Sequence, residues 1–179
     1  MNIENDFAKI YNTHAPKVYR LCLGYASGNS DIAKEWQQET FIKVWNHRHT
    51  FQGKSSIETW IYRIAVNTCL GDLRKTKTRI PINENLLENV SNDNSNDKAH
   101  QIRKMYDCIE QLTEQNKALI LLELENIPQA TIAETAGLAH GTLRTRLSRI
   151  RKSLLKCITN GKRSINTNME SAKEGTTTH

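Results

Sequence analysis

Apolar residues recur along this chain at helical spacing, and no segment shows the alternating pattern of a half-buried strand. In the first half, that spacing and the helix breakers predict four helices. Phe7, Ile10 and Tyr11 mark the first, which should end before Pro16; Val18, Leu21, Cys22 and Tyr25 mark a second, closing near Gly28. Trp36, Phe41, Val44 and Trp45 belong to a third, with Ser30 or Asp31 placed to cap it. A polar loop, Gln52-Gly53-Lys54-Ser55-Ser56, then precedes a fourth helix carrying Ile57, Trp60, Ile61, Ile64 and Thr68.

The pattern then lapses. Residues 83–97, NENLLENVSNDNSND, are rich in Asn, Ser and acid and offer little to bury, and Pro81 discourages continuation of the preceding helix. This reads as a linker between two small all-α modules, over residues 1–80 and 101–158, with residues 81–100 between them and a disordered tail over 159–179. In the second module Ile102, Met105 and Ile109 suggest one helix and Leu119 and Leu122 another, stopped by Pro128. Ile132, Ala133 and Ala136 lie on one face of a short helix. Gly137 then permits a positive-φ turn, and a last helix begins near Thr142 with Leu143, Leu147, Ile150 and Leu154 as its buried stripe.

Composition changes this picture only where it is local. Across 179 residues the chain is 37% hydrophobic and 25% charged, with net charge +6 and a pI near 9.2. That is ordinary for a folded protein and only mildly attractive to polyanions. Yet residues 141–163 hold eight Lys or Arg and no acid, whereas residues 83–97 hold four acids and no base. No run approaches the roughly 18 apolar residues of a membrane span. The N-terminus lacks a basic-then-apolar leader, so the expected location is the cytoplasm. Cys22, Cys69, Cys108 and Cys157 are tens of residues apart, with no CxxC pair and no histidine at zinc spacing, and are expected to be buried thiols. No metal or cofactor is expected. His47 and His49 flank Arg48 and would point to different faces of a helix.

The last helix carries the clearest chemistry. Opposite its apolar stripe stand Arg144, Thr145, Ser148, Arg149, Arg151 and Lys152. An α-helix fits the DNA major groove, where Arg donates two hydrogen bonds to guanine and further cations neutralise phosphates. The competing reading is a solvated cationic helix, but the helix, glycine turn and helix directly before the basic face favour DNA. The fourth helix interleaves Trp60, Tyr62, Arg63, Asn67, Arg74 and Lys75, a mixture suited to unstacked bases. There the two readings stay open: periodicity favours the core for Trp60 and leaves Tyr62 undecided.

These segments resemble the extracytoplasmic-function (ECF) group of sigma-70-type sigma factors over nearly the whole chain. Ala33-Lys34-Glu35-Trp36-Gln37-Gln38-Glu39-Thr40-Phe41 is similar to the family's A-E-D-L-x-Q-E-x-F segment, which docks on the clamp helices of the polymerase β′ subunit. The resemblance implies polymerase contacts at Glu35, Gln38 and Glu39. TWIYRIAVNTCLGDLRK is similar to W-L-x-x-I-A-x-N-x-x-x-D-x-x-R, which engages the −10 element and its melted strand. It implies roles for Trp60, Arg63, Asn67, Arg74 and Lys75, with Lys54 and Ser55 in the preceding loop that helps to capture a flipped base. IPQATIAETAGLAHGTLRTRLSRIRKSL resembles the family's −35-reading helix-turn-helix, which implies His140, Thr142, Arg144, Thr145, Arg146 and Arg149 at the duplex. Thr131, Ala139, Thr113 and Gly71 depart from the usual Glu, Ser, Pro and Asp of these patterns.

The implied function is promoter recognition, DNA melting and initiation with core RNA polymerase, through the β′ clamp helices and the β flap, under control of an anti-sigma factor. A stand-alone helix-turn-helix regulator is the alternative. An enzyme is disfavoured: there is no nucleophile elbow or metal cluster, and residues 137–142 lack the lysine of a Walker loop.

Overall fold

The computed structural model describes residues 3–79 and 96–160, all of whose regular elements are helical. The helices are α1 (Ile3–Tyr25), α2 (Ser30–Asn46), α3 (Ile57–Arg79), α4 (Asn96–Glu110), α5 (Glu114–Leu124), α6 (Gln129–Ala136) and α7 (His140–Asn160), with one 3-10 turn at Arg48–Thr50. Residues 81–95 of the expected linker and 161–179 of the expected tail lie outside the described residues. Residues 96–100, expected in that linker, instead belong to α4, and Thr159 and Asn160, expected in the tail, to α7.

The first two expected helices are one. α1 runs through Pro16, whose ring removes the bond to the Asn12 carbonyl and crowds that carbonyl. At that point Gln37 of α2 donates to the Ala15 carbonyl at 2.8 Å, and Ile10, Val18, Leu21, Cys22 and Tyr25 keep one continuous buried stripe. Burial on both sides of the proline therefore outweighs its tendency to break the helix. The cap of α2 is Asn29, not Ser30 or Asp31, and accepts from the Asp31 and Ile32 amides at 3.1 and 3.2 Å. Between α1 and α2 the chain turns through Ser27 and Gly28 at φ 51° and 90°.

α1, α2 and α3 pack around Val18, Leu21, Ala33, Val44, Ile61 and Ala65. The indole of Trp36 donates to Asp72 at 3.0 Å and fixes α2 against α3. In the second module Leu119, Leu122, Ile132, Leu143, Leu147 and Ile150 enclose the helix-turn-helix. Thr113, where the family has Pro, caps α5 by accepting from the Asn116 amide at 3.3 Å. Gly137 takes φ 66°, ψ 34°, the left-handed residue that ends α6 and lets α7 depart.

The cysteines do not all behave as expected. Cys22 and Cys69 are buried thiols with their sulfurs 3.6 Å apart, but Cys108 and Cys157 form a disulfide. The pairing follows from tertiary packing: α4 lies against α7 and brings residues 49 apart in sequence to a Cα separation of 6.0 Å. A cross-link closing a loop of that length stabilises a fold by ~4 kcal/mol in the chain-entropy account.

The modules also pack on each other. Gly24 of α1 has no side chain to keep Leu121 of α5 away, and Tyr106 of α4 lies beside Gly28. At the same junction Arg20 pairs with Glu125 at 2.6 Å.

Two stability measurements test this packing. Leu147 is fully buried, and Leu147→Ala should destabilise the chain by about 2–5 kcal/mol in denaturant titration; a loss under 1 kcal/mol would mean that α7 is not seated as described. His14 is buried, and desolvation lowers its pKa, with Glu58 opposing and Lys17 assisting. Protonation is thus harder in the folded chain than in the unfolded one, where histidine titrates near 6.5. Stability held by neutral His14 is present above that value and is lost as pH falls through the lower folded pKa. His14→Phe should flatten the acid limb of a stability–pH curve below about pH 6.5.

Candidate nucleic-acid interface

Three exposed surfaces emerge, each built on one helix or on two neighbouring ones. On α2, Glu35, Gln38 and Glu39 are exposed because Ala33, Trp36 and Thr40 take the inward positions of the same turns. They line a groove of about 270 Å³ whose far wall is α3, with Asn67, Gly71, Asp72 and Lys75. Ile42, 50% exposed, adds an apolar point, and Glu39 reaches Lys43 at 3.4 Å. The α2 trio thus shares one concavity with Asn67 and Lys75, residues expected at DNA.

The second surface begins at the loop before α3. Ser56 caps the helix, its hydroxyl accepting from the Thr59 amide at 3.1 Å, and Lys54 is exposed beside half-buried Ser55. Phe51 of this loop and Trp60 form a tilted aromatic pair with centroids 5.2 Å apart, leaving Trp60 half-buried. Tyr62 instead is core at 1% exposure; its hydroxyl has no hydrogen-bond partner, and burial pushes its pKa up, Glu58 reinforcing the shift. Periodicity favoured Trp60 for the core and left Tyr62 undecided, and the packing assigns the deep position to Tyr62. The helix turns its polar side toward α6, so the ring two residues from Trp60 faces α1 and His14.

Much of the cationic part of α3 is already engaged. Arg63 donates through Nη2 to the Glu134 carbonyl and through Nε to the Thr135 carbonyl at 3.4 Å. These carbonyls sit in the last turn of α6, the negative end of its dipole, where a cation is favoured. The Thr59 hydroxyl donates to the Glu134 carboxylate at 2.9 Å. Farther along, Arg74 pairs with Glu114 at 2.6 Å, and the carboxylate raises the guanidinium pKa still further.

The third surface is α7. Gly141, Arg144, Thr145, Ser148, Arg149 and Lys152 form an open concave face without an acid. His140 and Thr142 are exposed at its start. Arg146 is elsewhere: it is half-buried, donates to Gln115 at 3.4 Å, and lines a crevice of about 400 Å³ between the modules with Arg74, Leu70 and Leu138. Ser148 and Lys152 take the place on the basic face that the motif had suggested for Arg146. Helical periodicity already places both on that face, since Arg144, Ser148 and Lys152 are spaced by four, whereas Arg146 lies half a turn away.

Comparison with known proteins bears on these surfaces. Residues 10–79 match the family described as Sigma-70 region 2, and residues 102–154 the family described as Sigma-70, region 4. The ECF RNA polymerase sigma-E factor of Haemophilus influenzae is 33% identical over 162 residues, covering 83% of this chain and 85% of its own length. The ECF RNA polymerase sigma factor SigX of Bacillus subtilis is 28% identical over 75% of this chain and 72% of its own. Among solved structures, sigma factor RpoE of Bartonella quintana in complex with the anti-sigma factor NepR has a TM-score of 0.66 at 21% identity, covering 88% of this chain and 99% of that one. CnrH in complex with the cytosolic domain of CnrY gives 0.65 at 14% identity, over 89% and 91%.

Glu134→Lys tests the contact of α3 with α6. It removes the acceptor of Thr59 and sets a cation beside Arg63, so small-angle scattering should show a larger radius of gyration with unchanged helical circular dichroism. An unchanged radius would show that the contact contributes nothing to the compact arrangement.

Proposed function

Because the chain belongs to the ECF sigma factors of the sigma-70 family, and so directs RNA polymerase to promoters and initiates transcription there, we propose a division of that task among its three surfaces. The first module, residues 1–80, takes both the polymerase and the −10 element; the second, residues 101–158, takes the −35 element; residues 81–100 join them.

The exposed α2 face, with Glu35, Gln38 and Glu39 around Ile42, offers hydrogen-bond acceptors beside an apolar anchor, which suits docking on the β′ clamp helices. The Phe51–Trp60 pair at the loop holding Lys54 and Ser55 gives an aromatic wall for a base taken out of the duplex, a step that costs a few kcal/mol. Arg63, Asn67, Arg74 and Lys75 then follow the strand's phosphates. His140, Thr142, Arg144, Thr145 and Arg149, joined by Ser148 and Lys152, enter the −35 major groove. The observation that carries this reading is the acid-free concave face of α7 on a helix seated by Leu143, Leu147 and Ile150. We assign the chain no bond-making step; recognition and positioning are its work.

Arg63 and Arg74 cannot hold α6 and α5 and also follow DNA, so −10 engagement requires the modules to separate. Binding to polymerase would supply the energy for it. An anti-sigma factor, the kind of partner bound to RpoE, would act on this chain by holding the modules in the compact arrangement.

Run-off transcription with core polymerase on a promoter library tests the assignment. Arg144→Ala and Arg149→Ala should each reduce initiation from −35-dependent promoters about 5- to 100-fold, the effect of one good base contact. Glu39→Ala should weaken core binding and leave the −35 preference unchanged. Tight, sequence-specific promoter binding by the chain alone, with no initiation in the presence of core enzyme, would favour a free-standing regulator.

A further inference from the structure

The cysteines fall into two pairs with opposite chemistry. Cys22 and Cys69 are fully buried, their sulfurs 3.6 Å apart and unbonded, and the hydrogen bond between them, followed by burial, raises the Cys69 pKa, which keeps it a thiol. Cys108 and Cys157 are bonded. Cys108 lies two residues before the end of α4 at Glu110, and Cys157 three before the end of α7 at Asn160. Terminal turns open more readily than helix interiors, so both sulfurs can reach an exchanging thiol although they are 1% and 3% exposed in the closed fold. Their Cα separation of 6.0 Å lies in the ordinary range for a disulfide and also accommodates two thiols without moving the backbone.

An RNA polymerase subunit works beside the genome, among reduced low-molecular-weight thiols, where a disulfide, when one forms, is usually a transient or sensing one. We propose that Cys108 and Cys157 form a reversible thiol–disulfide site through which the cellular thiol pool sets the stability of the −35-reading module. The oxidant is a low-molecular-weight disulfide such as oxidised glutathione. One cysteine thiolate attacks it, releasing one thiol; the second cysteine then displaces the other, so the pair loses two electrons and two protons and two molecules of reduced thiol form. Reduced thiols in excess reverse both steps. The bond ties α4 to the C-terminal half of α7, whose N-terminal half carries the basic face. Oxidation therefore holds the recognition helix on its module at temperatures where the reduced module loosens. The effect on transcription rests on the sigma-factor reading above; the cysteine chemistry does not.

The full-length chain, equilibrated in glutathione buffers from fully reduced to fully oxidised, is quenched, alkylated under denaturing conditions and mapped by mass spectrometry. Cys108 and Cys157 should convert together to the disulfide while Cys22 and Cys69 stay alkylated throughout. The oxidised chain should melt more than about 5 °C above the reduced one. With core polymerase near the melting range of the reduced form, it should initiate several-fold more transcript from −35-dependent promoters. Cys108→Ser, and independently Cys157→Ala, should abolish both differences, and reductant supplies the same comparison in the unaltered chain. Absence of the Cys108–Cys157 bond at every buffer ratio, or oxidation of Cys22 with Cys69 instead, would overturn the site. A disulfide that forms yet changes initiation less than twofold would overturn its regulatory role and leave the sigma assignment standing.

Discussion

The C-terminal end of α6 is the point on which the arrangement of this molecule turns. Eight residues of helix place the Glu134 and Thr135 carbonyls where Arg63 of the other module can cap them, and the Glu134 side chain accepts from Thr59 beside it. A helix end needs partners for its last carbonyls, and a guanidinium, with five donors in a fixed fork, can serve two at once. Because α6 is also the first helix of the DNA-reading motif, the contact that satisfies its end covers part of the surface assigned to the −10 strand. Gly24 and Leu121 add close apolar contact where α1 meets α5.

Elements with a long apolar stripe could be read from the sequence, and α7 above all: Leu143, Leu147, Ile150 and Leu154 recur at one helical period and are all buried. Gly137 announced its turn because positive φ is a local demand that glycine meets cheaply. Features set by another element were not legible. Pro16 broke the expected helix on local grounds, but the core beneath α1 is continuous on both sides of it. The Cys108–Cys157 bond depends on α4 lying against α7, which no spacing encodes. For the same reason periodicity, which favours Trp60 for the core and leaves Tyr62 undecided, does not find the deeper ring: only the position of α1 makes the Tyr62 side the deep one.

The motif residues show a related limit. Glu35, Gln38 and Glu39 stand together in the open, since positions i, i+3 and i+4 of one helix share a face whatever lies beyond it. Arg144, Thr145 and Arg149 likewise share the face of α7. Arg63 and Arg74, by contrast, are turned toward the facing module, because the end of α6 and Glu114 present acceptors there, and Arg146 is turned toward Gln115 of its own module. A motif fixes which helix a cation sits on, whereas the surrounding acceptors fix what it touches.

That engagement has an energetic consequence. The bridges between the modules are exposed or partly exposed ion pairs and hydrogen bonds, each contributing little net because water screens it. A phosphate oxygen can replace a carboxylate or carbonyl as the partner of Arg63 or Arg74 with the same geometry and comparable strength. The proposed opening of the modules on DNA is therefore largely an exchange of one set of charge-assisted bonds for another. The terms left uncompensated are the apolar contact of Leu121 with α1 and the freedom gained by the separated modules, and these oppose each other. An interface held by such exchangeable bonds suits the proposed opening on polymerase, since a tighter one would hold Arg63 and Arg74 away from the −10 strand assigned to them.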